Sequence, residues 1–506
     1  YARRMCLSFP SGHQAAWHVL SEILSQTFHA RGVDVKERKV DVAIIGSGSA
    51  GLYALGKVRP SGKSFVLING GELGTTCARV GCMPSKAVIQ VAEDFHRRNV
   101  FNRYGVEGHE DMNLSVPEAM EYVQDLRDVF VERVLSNSTD RLPEENFIQG
   151  YARFVETNLL EIDTGERLRA EHIIIATGSR PLVPRAWEPF RDRIITSDEF
   201  FELEDLPRSV AVIGLGVIGL EIGQSLRRMG LEVTGIDQLM TIGGLSDPEV
   251  VQTAIEVIGK EMPLWLGHAA EVSEAGNGML RVQAGERVVE VERVFASMGR
   301  TPNLDKLGLA DIGVELDARG IPVFDPATMR IGDTSIYMAG DVTGERPLLH
   351  EAGDEGRIAG HNAISAEPTA FRRKTPLGIT FCDPNIVVVG TRFADLDPAS
   401  TVMGQIQMGP VGRAMIMAKN RGLIRVYANK ASGRVLGAEM ACPKGENLGH
   451  LLAWCIQQDM TVGEILQMPF YHPVIEEALQ AALYDVYEKV DVKNSTPITE
   501  LVSLPG

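Results

Sequence analysis

A glycine pattern that occurs twice constrains this chain more than any other feature. Val40 to Ile45 (VDVAII) is an apolar run too short for a helix, and it leads directly into Gly46-Ser47-Gly48-Ser49-Ala50-Gly51. Ser209 to Ile213 (SVAVI) leads in the same way into Gly214-Leu215-Gly216-Val217-Ile218-Gly219, about 170 residues further on. Each run reads as a strand and each glycine segment as a turn that opens a helix. Second apolar runs follow, Ser64 to Ile68 and Leu231 to Ile236. A lone G-x-G-x-x-G is a weak signal, but both copies here have the strand–turn–helix context that a dinucleotide site requires. The first glycine permits the tight turn, the second lets backbone amides approach a pyrophosphate, and the third lets helix and strand pack closely. The phosphates then lie on the helix N-terminus, where free N–H groups and the helix dipole favour negative charge. The pattern is an internal duplication of a β-α-β unit rather than a solenoid repeat.

The residue that holds the adenosine ribose should lie about 20 residues further on. Asp237 stands 23 residues after Gly214, and Asn69 stands 23 after Gly46, each at a strand end. Asp237 accepts bonds from ribose hydroxyls and repels a 2′-phosphate. No Lys or Arg occurs from Leu231 to Gly259 to hold such a phosphate. The second unit therefore reads as an NAD site rather than an NADP site. Asn69 is neutral and makes a weaker ribose partner.

Length and charge bound the rest. A chain of 506 residues is long enough for about three domains. The formal net charge of -17 argues against nucleic acid or an anionic membrane as partner, because both need a basic surface. No apolar run reaches the ~18 residues of a membrane span; the longest candidate, around Val210 to Ile222, contains Glu221 and the fingerprint glycines. Six cysteines (Cys6, Cys77, Cys82, Cys382, Cys442 and Cys455) are too sparse for a secreted disulfide scaffold.

Only Cys77 and Cys82 lie close together, in Gly74-Thr75-Thr76-Cys77-Ala78-Arg79-Val80-Gly81-Cys82-Met83-Pro84-Ser85-Lys86. Five residues along a regular helix turn through ~500°, so two such cysteines would point apart. A disulfide needs Cα atoms ~4.4–6.8 Å apart, and Gly81 is where the backbone could bend to meet that need. Two inert thiols are the other reading. A zinc site would need two more ligands close by, and none is near, so no metal is expected.

In the order of its motifs, from about Lys39 to Lys489, the chain resembles the pyridine nucleotide–disulfide oxidoreductases, whose redox motif is usually G-G-T-C-x-N-V-G-C-x-P-S-K. Gly46, Gly48 and Gly51 match the FAD fingerprint of that family, and Gly214, Gly216 and Gly219 match its NAD fingerprint. Ala176-Thr177-Gly178 matches a second motif of the FAD domain, and Gly340-Asp341 the motif whose Asp binds the ribityl chain. Ser297 to Asn303 (SMGRTPN) is similar to the G-R-x-P-N stretch that leaves the NAD domain, and Tyr471 to Glu477 (YHPVIEE) matches H-P-x-x-x-E. Thr75 replaces the second glycine of the redox motif, Arg79 replaces its Asn, and Asn69 stands where Glu is common.

The resemblance implies FAD held by Gly46, Gly48, Ser49, Gly51, Asn69, Thr76, Lys86, Ala176, Thr177, Gly178, Gly340 and Asp341. It implies NAD held by Gly214, Gly216, Val217, Ile218, Gly219, Asp237, Gly299 and Arg300. Within the family, Pro84-Ser85-Lys86, Val217 in place of a common Tyr, and a C-terminus (ITELVSLPG) without Cys are similar to the lipoamide dehydrogenase branch. That branch implies a catalytic set of Cys77, Cys82, His472, Glu477, Lys86 and Glu221. Cys77 is then the interchange thiol and Cys82 the thiol nearest the flavin. His472 is the base, an imidazole being suited to proton transfer, and is oriented by Glu477, while Lys86 lies by the flavin and pairs with Glu221. Cys82 passes electrons to FAD and thence to NAD. The substrate implied is a dihydrolipoyl group on a carrier protein or an acyltransferase of a 2-oxoacid dehydrogenase-type complex. A reductase of another disulfide or of a metal ion, and a flavoprotein that binds a partner or senses redox state without turnover, are the competing classes.

The expected fold is α/β: two Rossmann-like domains, for FAD and NAD, plus a C-terminal α+β dimerisation domain that makes a homodimer. The FAD domain is expected over 39–190 and 306–372, the NAD domain over 191–305, the dimerisation domain over 373–496, and a tail over 497–506. Residues 1–38 fit none of these patterns and read as an extension with a helix from Gln14 to Phe28. The expected location is the cytoplasm, or the mitochondrial matrix if that extension is a targeting remnant.

Overall fold

A computed structural model describes residues 37–504. The expected helix from Gln14 to Phe28 and the rest of residues 1–36 lie outside the described residues, as do 505 and 506. Glu37 and Arg38, placed with the extension by pattern, already belong to strand β1 (Glu37–Ile45). Ladder pairing with a neighbouring strand outweighs their polarity.

Strand β1, helix α1 (Ser49–Val58) and strand β2 (Phe65–Asn69) form the first β-α-β unit. Helix α2 (Thr76–Val80) carries Cys77, and helix α3 (Cys82–His96) begins on Cys82. The helical stretch expected over Ala87 to Ser136 is interrupted: after α3 come two 3₁₀ turns and then α4 (Val116–Asn137). Gly105, at φ 74°, takes the left-handed conformation that ends the first of these turns, Gly108, also at φ 74°, precedes the second, and Pro117 lies in the first turn of the next helix.

Strands β3 (Phe147–Gln149), β4 (Arg167–Ile175) and, after the second unit, Ile336–Met338 complete a parallel sheet. Its order is β3-β2-β1-β4 and then Ile336–Met338. The register sets Ile45 beside both Ile68 and Ile175. These strands are near-continuous apolar runs because both faces are covered. Alternate residues serve the two faces: Ala43, Ile45, Ile173 and Ile175 enter one core, and Val42, Ile44 and Ile174 enter another with Ala50, Ala54 and Val58 of α1.

The second unit repeats the plan with β5 (Ser209–Ile213), α5 (Val217–Arg228), β6 (Glu232–Asp237) and α6 (Pro248–Ile258). Its parallel sheet runs Leu264–Leu266, β6, β5, Arg293–Ala296, Ile194–Ile195. In both sheets the first strand lies inside and the second beside it, so each fingerprint turn opens at the carboxyl end of the sheet. Ser179–Pro181 leaves the first domain and pairs antiparallel with Arg300–Pro302 returning to it.

The C-terminal domain holds an antiparallel sheet in the order Leu377–Thr380, Asn385–Gly390, Val435–Cys442, Leu423–Asn429, Thr401–Gln407. One face buries Val387, Val426 and Met440 against the helices Gly445–Gln457 and Glu476–Lys489. From the other face Ile386, Leu423 and Ala441 enter a core shared with Leu220, Val250 and Ala254 of the second unit. The sheet therefore joins the NAD-type domain to the last domain through a continuous core.

Candidate active site

The two fingerprint turns are built alike, bond for bond. The Gly46 N–H donates to Ile68 O at 2.7 Å, and the Gly214 N–H donates to Ile236 O at 2.9 Å. A Cβ on Gly51 would lie 1.9 Å from Gly46 O, and one on Gly219 would lie 1.9 Å from Gly214 O, so neither position admits a side chain. A Cβ on Gly48 or Gly216 would meet nothing within 4 Å. That open ground lies at the N-termini of α1 and α5, neither of which has an acidic residue in its first turn. Ser49 begins α1, and Val217 and Ile218 begin α5. The arrangement fits a dinucleotide phosphate set against free N–H groups at each turn.

Asn69 and Asp237 occupy equivalent positions. Asn69 Oδ1 accepts from Ser47 Oγ at 2.8 Å and Ser47 N at 3.3 Å, while its Nδ2 donates to Gly71 O at 2.6 Å. Asp237 Oδ2 accepts from Leu215 N at 2.6 Å, and Oδ1 from Leu239 N at 2.8 Å. Each carboxylate oxygen of Asp237 keeps a second lone pair for a ribose hydroxyl. Asn69 has a single acceptor oxygen and already receives two bonds on it.

Thr177 and Asn303 brace the turn at Ala176-Thr177-Gly178: Thr177 Oγ1 donates to Asn303 O at 2.8 Å, and Asn303 Nδ2 donates to Thr177 O at 3.0 Å. Asp341 follows Gly340 and accepts from Ser179 Oγ at 2.8 Å. Arg300, beside Gly299, donates from Nε to Ser179 Oγ at 2.7 Å and from Nη2 to Ser179 O at 2.8 Å. Its guanidinium is thus committed to the crossing between the domains and lies 3.9 Å from Asp341, on the side of the first nucleotide unit.

The redox segment is a broken helix. A Cβ on Gly81 would lie 2.9 Å from Thr76 O, so the break between α2 and α3 requires glycine. Thr75 precedes α2 at φ 66°, ψ 149°, and its Oγ1 caps the helix by accepting from Ala78 N at 3.2 Å. Thr76 begins α2 and is exposed. Arg79 turns away to an ion pair with Glu72 at 3.0 Å. Cys77 and Cys82 are both thiols here. A hydrogen bond from Cys77 holds the Cys82 thiol down to about 7, aided by the Lys86 charge and opposed by burial. The same pairing and burial push Cys77 far up.

Lys86 sits one turn further along α3. Its Nζ donates to Glu221 Oε1 at 2.9 Å and Oε2 at 2.8 Å. The Glu221 side chain is only 4% exposed, and Phe381 N donates to it at 2.9 Å. Lys86 also stands 4.4 Å over the Phe381 ring. Phe381 was missed in the sequence because an isolated aromatic before Cys382-Asp383-Pro384 carries no periodic signal.

His472 is held by a carboxylate five residues further along the chain. Its Nδ1 is 2.8 Å from Glu477 Oε1, and Glu477 Oε2 accepts from Val474 N at 3.0 Å. These bonds, chiefly the one with His472, hold the Glu477 carboxyl below its ordinary value. The imidazole is 82% exposed. Among the described residues no group of three His, Cys, Asp or Glu side chains is placed to hold a metal ion. No helix among them is long and apolar enough to cross a membrane.

Residues 40–356 match the family described as pyridine nucleotide-disulphide oxidoreductase, and residues 377–483 match its dimerisation domain. This chain belongs to the pyridine nucleotide-disulphide oxidoreductases. As a member it is an oxidoreductase acting on disulfide or thiol groups, with FAD and NAD(H) as cofactors. It is 30% identical over 462 residues to dihydrolipoyl dehydrogenase 2 of Haloarcula marismortui, covering 87% of this chain and 95% of that one. It is 28% identical over 461 residues to the dihydrolipoyl dehydrogenase of Pseudomonas aeruginosa, covering 88% and 97%. A solved structure of the HOCl-induced flavoprotein disulfide reductase RclA from Escherichia coli, as a Cu(II) complex, superposes with a TM-score of 0.76. At 20% identity, over 88% of this chain and 99% of that one, this last likeness concerns the fold.

Proposed function

We propose that this oxidoreductase converts protein-bound dihydrolipoyl groups to lipoyl groups with NAD⁺ as acceptor, through a Cys77–Cys82 disulfide. The observation that carries the reading is the unequal thiol pair: Cys82 is held near 7 beside Lys86, while Cys77 is pushed up. The names of the relatives at 28–30% identity supply the substrate class.

The chemistry follows from that inequality. A substrate thiolate attacks Cys77 Sγ, the S–S bond to Cys82 breaks, and Cys82 leaves as thiolate, the easier leaving group because its pKa is lower. The second substrate thiol then attacks the mixed disulfide, closing the lipoyl ring and releasing Cys77, whose high pKa makes it take up a proton. His472 accepts the substrate thiol protons and returns one to Cys77, with Glu477 steadying the imidazolium. Bound FAD would supply the two-electron exchange between Cys82 and NAD⁺. Lys86, fixed by Glu221, keeps a positive charge beside the Cys82 thiolate.

The exposed His472 and the dimerisation domain support a homodimer in which each His472 serves the partner's cysteines. The reading includes a lipoylated carrier protein or an acyltransferase of a 2-oxoacid dehydrogenase-type complex as partner, and a cytoplasmic location. The test is a steady-state panel of dihydrolipoamide, glutathione disulfide and metal ions with NAD(H) and NADP(H). Dihydrolipoamide with NAD⁺ should give the highest kcat/KM. A higher value for another disulfide or a metal ion would replace this reading.

A further inference from the structure

A second carboxylate is buried where the nucleotide domain meets the dimerisation domain, and the redox chemistry does not use it. Glu439 lies on the strand Val435–Cys442 and is 0% exposed. One of its oxygens accepts from Ser246 N at 2.7 Å and Asp247 N at 2.8 Å. The other accepts from Ser246 Oγ and from Phe393 N at 3.0 Å. Among the described residues no Lys or Arg forms an ion pair with it. Three of its four donors, Ser246 N, Ser246 Oγ and Asp247 N, lie just ahead of helix α6.

The neighbouring contacts fix the same segment. Asp247 Oδ1 pairs with Arg425 Nη1 at 2.6 Å, and Asp247 Oδ2 accepts from Tyr427 Oη at 2.8 Å. Arg392 Nη2 donates to Gly244 O at 3.0 Å. Glu439, Arg425, Tyr427 and Arg392 all come from the dimerisation domain, whereas residues 238–247 follow the ribose-type Asp237. At its other end this segment reaches the fingerprint: Gly243 N donates to Leu215 O at 2.8 Å, and Leu239 N donates to Asp237 Oδ1 at 2.8 Å.

We propose that Glu439 is a positioning residue for the second nucleotide site, through which the dimerisation domain fixes residues 238–247 and, with them, Asp237 and the Leu215 turn. Nucleotide affinity then depends on a docked dimerisation domain. The thiol chemistry at Cys77 does not, because among the described residues no hydrogen bond or ion pair joins the redox segment to this cluster: its polar side-chain contacts outside the segment run to Glu72 and Glu221. The inference rests on the NAD reading of the second unit given above.

The test uses the full-length, FAD-loaded protein as Glu439→Ala, Glu439→Gln and Ser246→Ala. NAD⁺ is titrated into the oxidised protein, where no reaction follows, and affinity is read by calorimetry. The thiol step is read separately, as the rate at which dihydrolipoamide raises the long-wavelength thiolate–flavin absorbance without nucleotide. Glu439→Ala leaves several buried donors unpaired and should weaken NAD⁺ about tenfold. Glu439→Gln keeps one acceptor oxygen and Ser246→Ala removes one donor, so each should weaken NAD⁺ about threefold. The thiol step and FAD content should stay within about twofold of wild type in all three, a split that a merely structural role would not give. If Glu439→Ala does not fold, the two milder variants decide. Unchanged NAD⁺ affinity in both, or affinity and thiol step falling together, overturns the proposal. A wild-type protein that binds NADP⁺ instead would refute the NAD reading alone, and the same variants titrated with NADP⁺ would then judge Glu439.

Discussion

Replacing Thr75 by glycine should stabilise the redox segment, whereas replacing it by alanine should loosen it. Thr75 is a β-branched residue at φ 66°, a conformation that costs a non-glycine residue roughly 1–3 kcal/mol. Its hydroxyl offsets part of that by capping α2 at Ala78 N, and losing such a cap to alanine costs about 1 kcal/mol. Alanine therefore keeps the backbone strain and loses the cap. Glycine removes the strain, loses a few tenths of a kcal/mol at the cap and gives back ~0.5–1 kcal/mol to the freer unfolded chain. The net for Thr75→Gly is a gain of about 1 kcal/mol, or about fivefold in the local opening equilibrium. Hydrogen exchange resolved to the peptide spanning residues 74–82 reads that equilibrium directly. The Arg79 amide, which donates to Thr75 O, should exchange about fivefold more slowly in Thr75→Gly and about fivefold faster in Thr75→Ala. Faster exchange in Thr75→Gly than in wild type would refute the strain argument.

Other outcomes follow from the same geometry. Cys77→Ser and Cys82→Ser should each abolish dihydrolipoamide oxidation and retain FAD; full turnover in either would rule out the relay. In the reduced protein the Cys82 thiolate should be lost as pH falls through about 7. Cys77→Ala, which removes the donor, should raise that midpoint by about one pH unit, less than the full displacement because the Lys86 charge remains. Cys77→Ser, which keeps a donor, should raise it less; equal midpoints in the two variants would deny the hydrogen bond its role. Gly219→Ala forces a Cβ to within 1.9 Å of Gly214 O and should lower kcat/KM for NAD⁺ about a hundredfold with FAD retained; a normal KM would show that the turn is slack. A mixed dimer of Cys77→Ser and His472→Gln chains should keep roughly half of wild-type activity, since shared sites leave one of the two intact. Activity at the level of the mutant parents would mean that each chain completes its own site.

Much of this protein was legible in the sequence because its decisive features are local. The two glycine turns could be read from Gly46 and Gly214 because a Rossmann unit is set by consecutive strand, turn and helix, and Asp237 falls at a fixed spacing from its glycine. The alternation of Val42, Ala43, Ile44 and Ile45 between two cores follows from the strand period. The motifs around Cys77, Cys82 and His472 could be placed by resemblance for the same reason. Tertiary structure decided what depends on residues far apart in the chain. It added Phe381 to the Lys86–Glu221 pair that the resemblance implied, and it turned Arg300 toward Ser179 and Asp341. It set Glu439 on the segment that follows Asp237. It also showed Thr75 at a positive φ, which no composition rule anticipates for threonine. Buried polar groups must find partners wherever the packed elements bring donors and acceptors within reach. That requirement acts through space, and spacing along the chain carries no record of it.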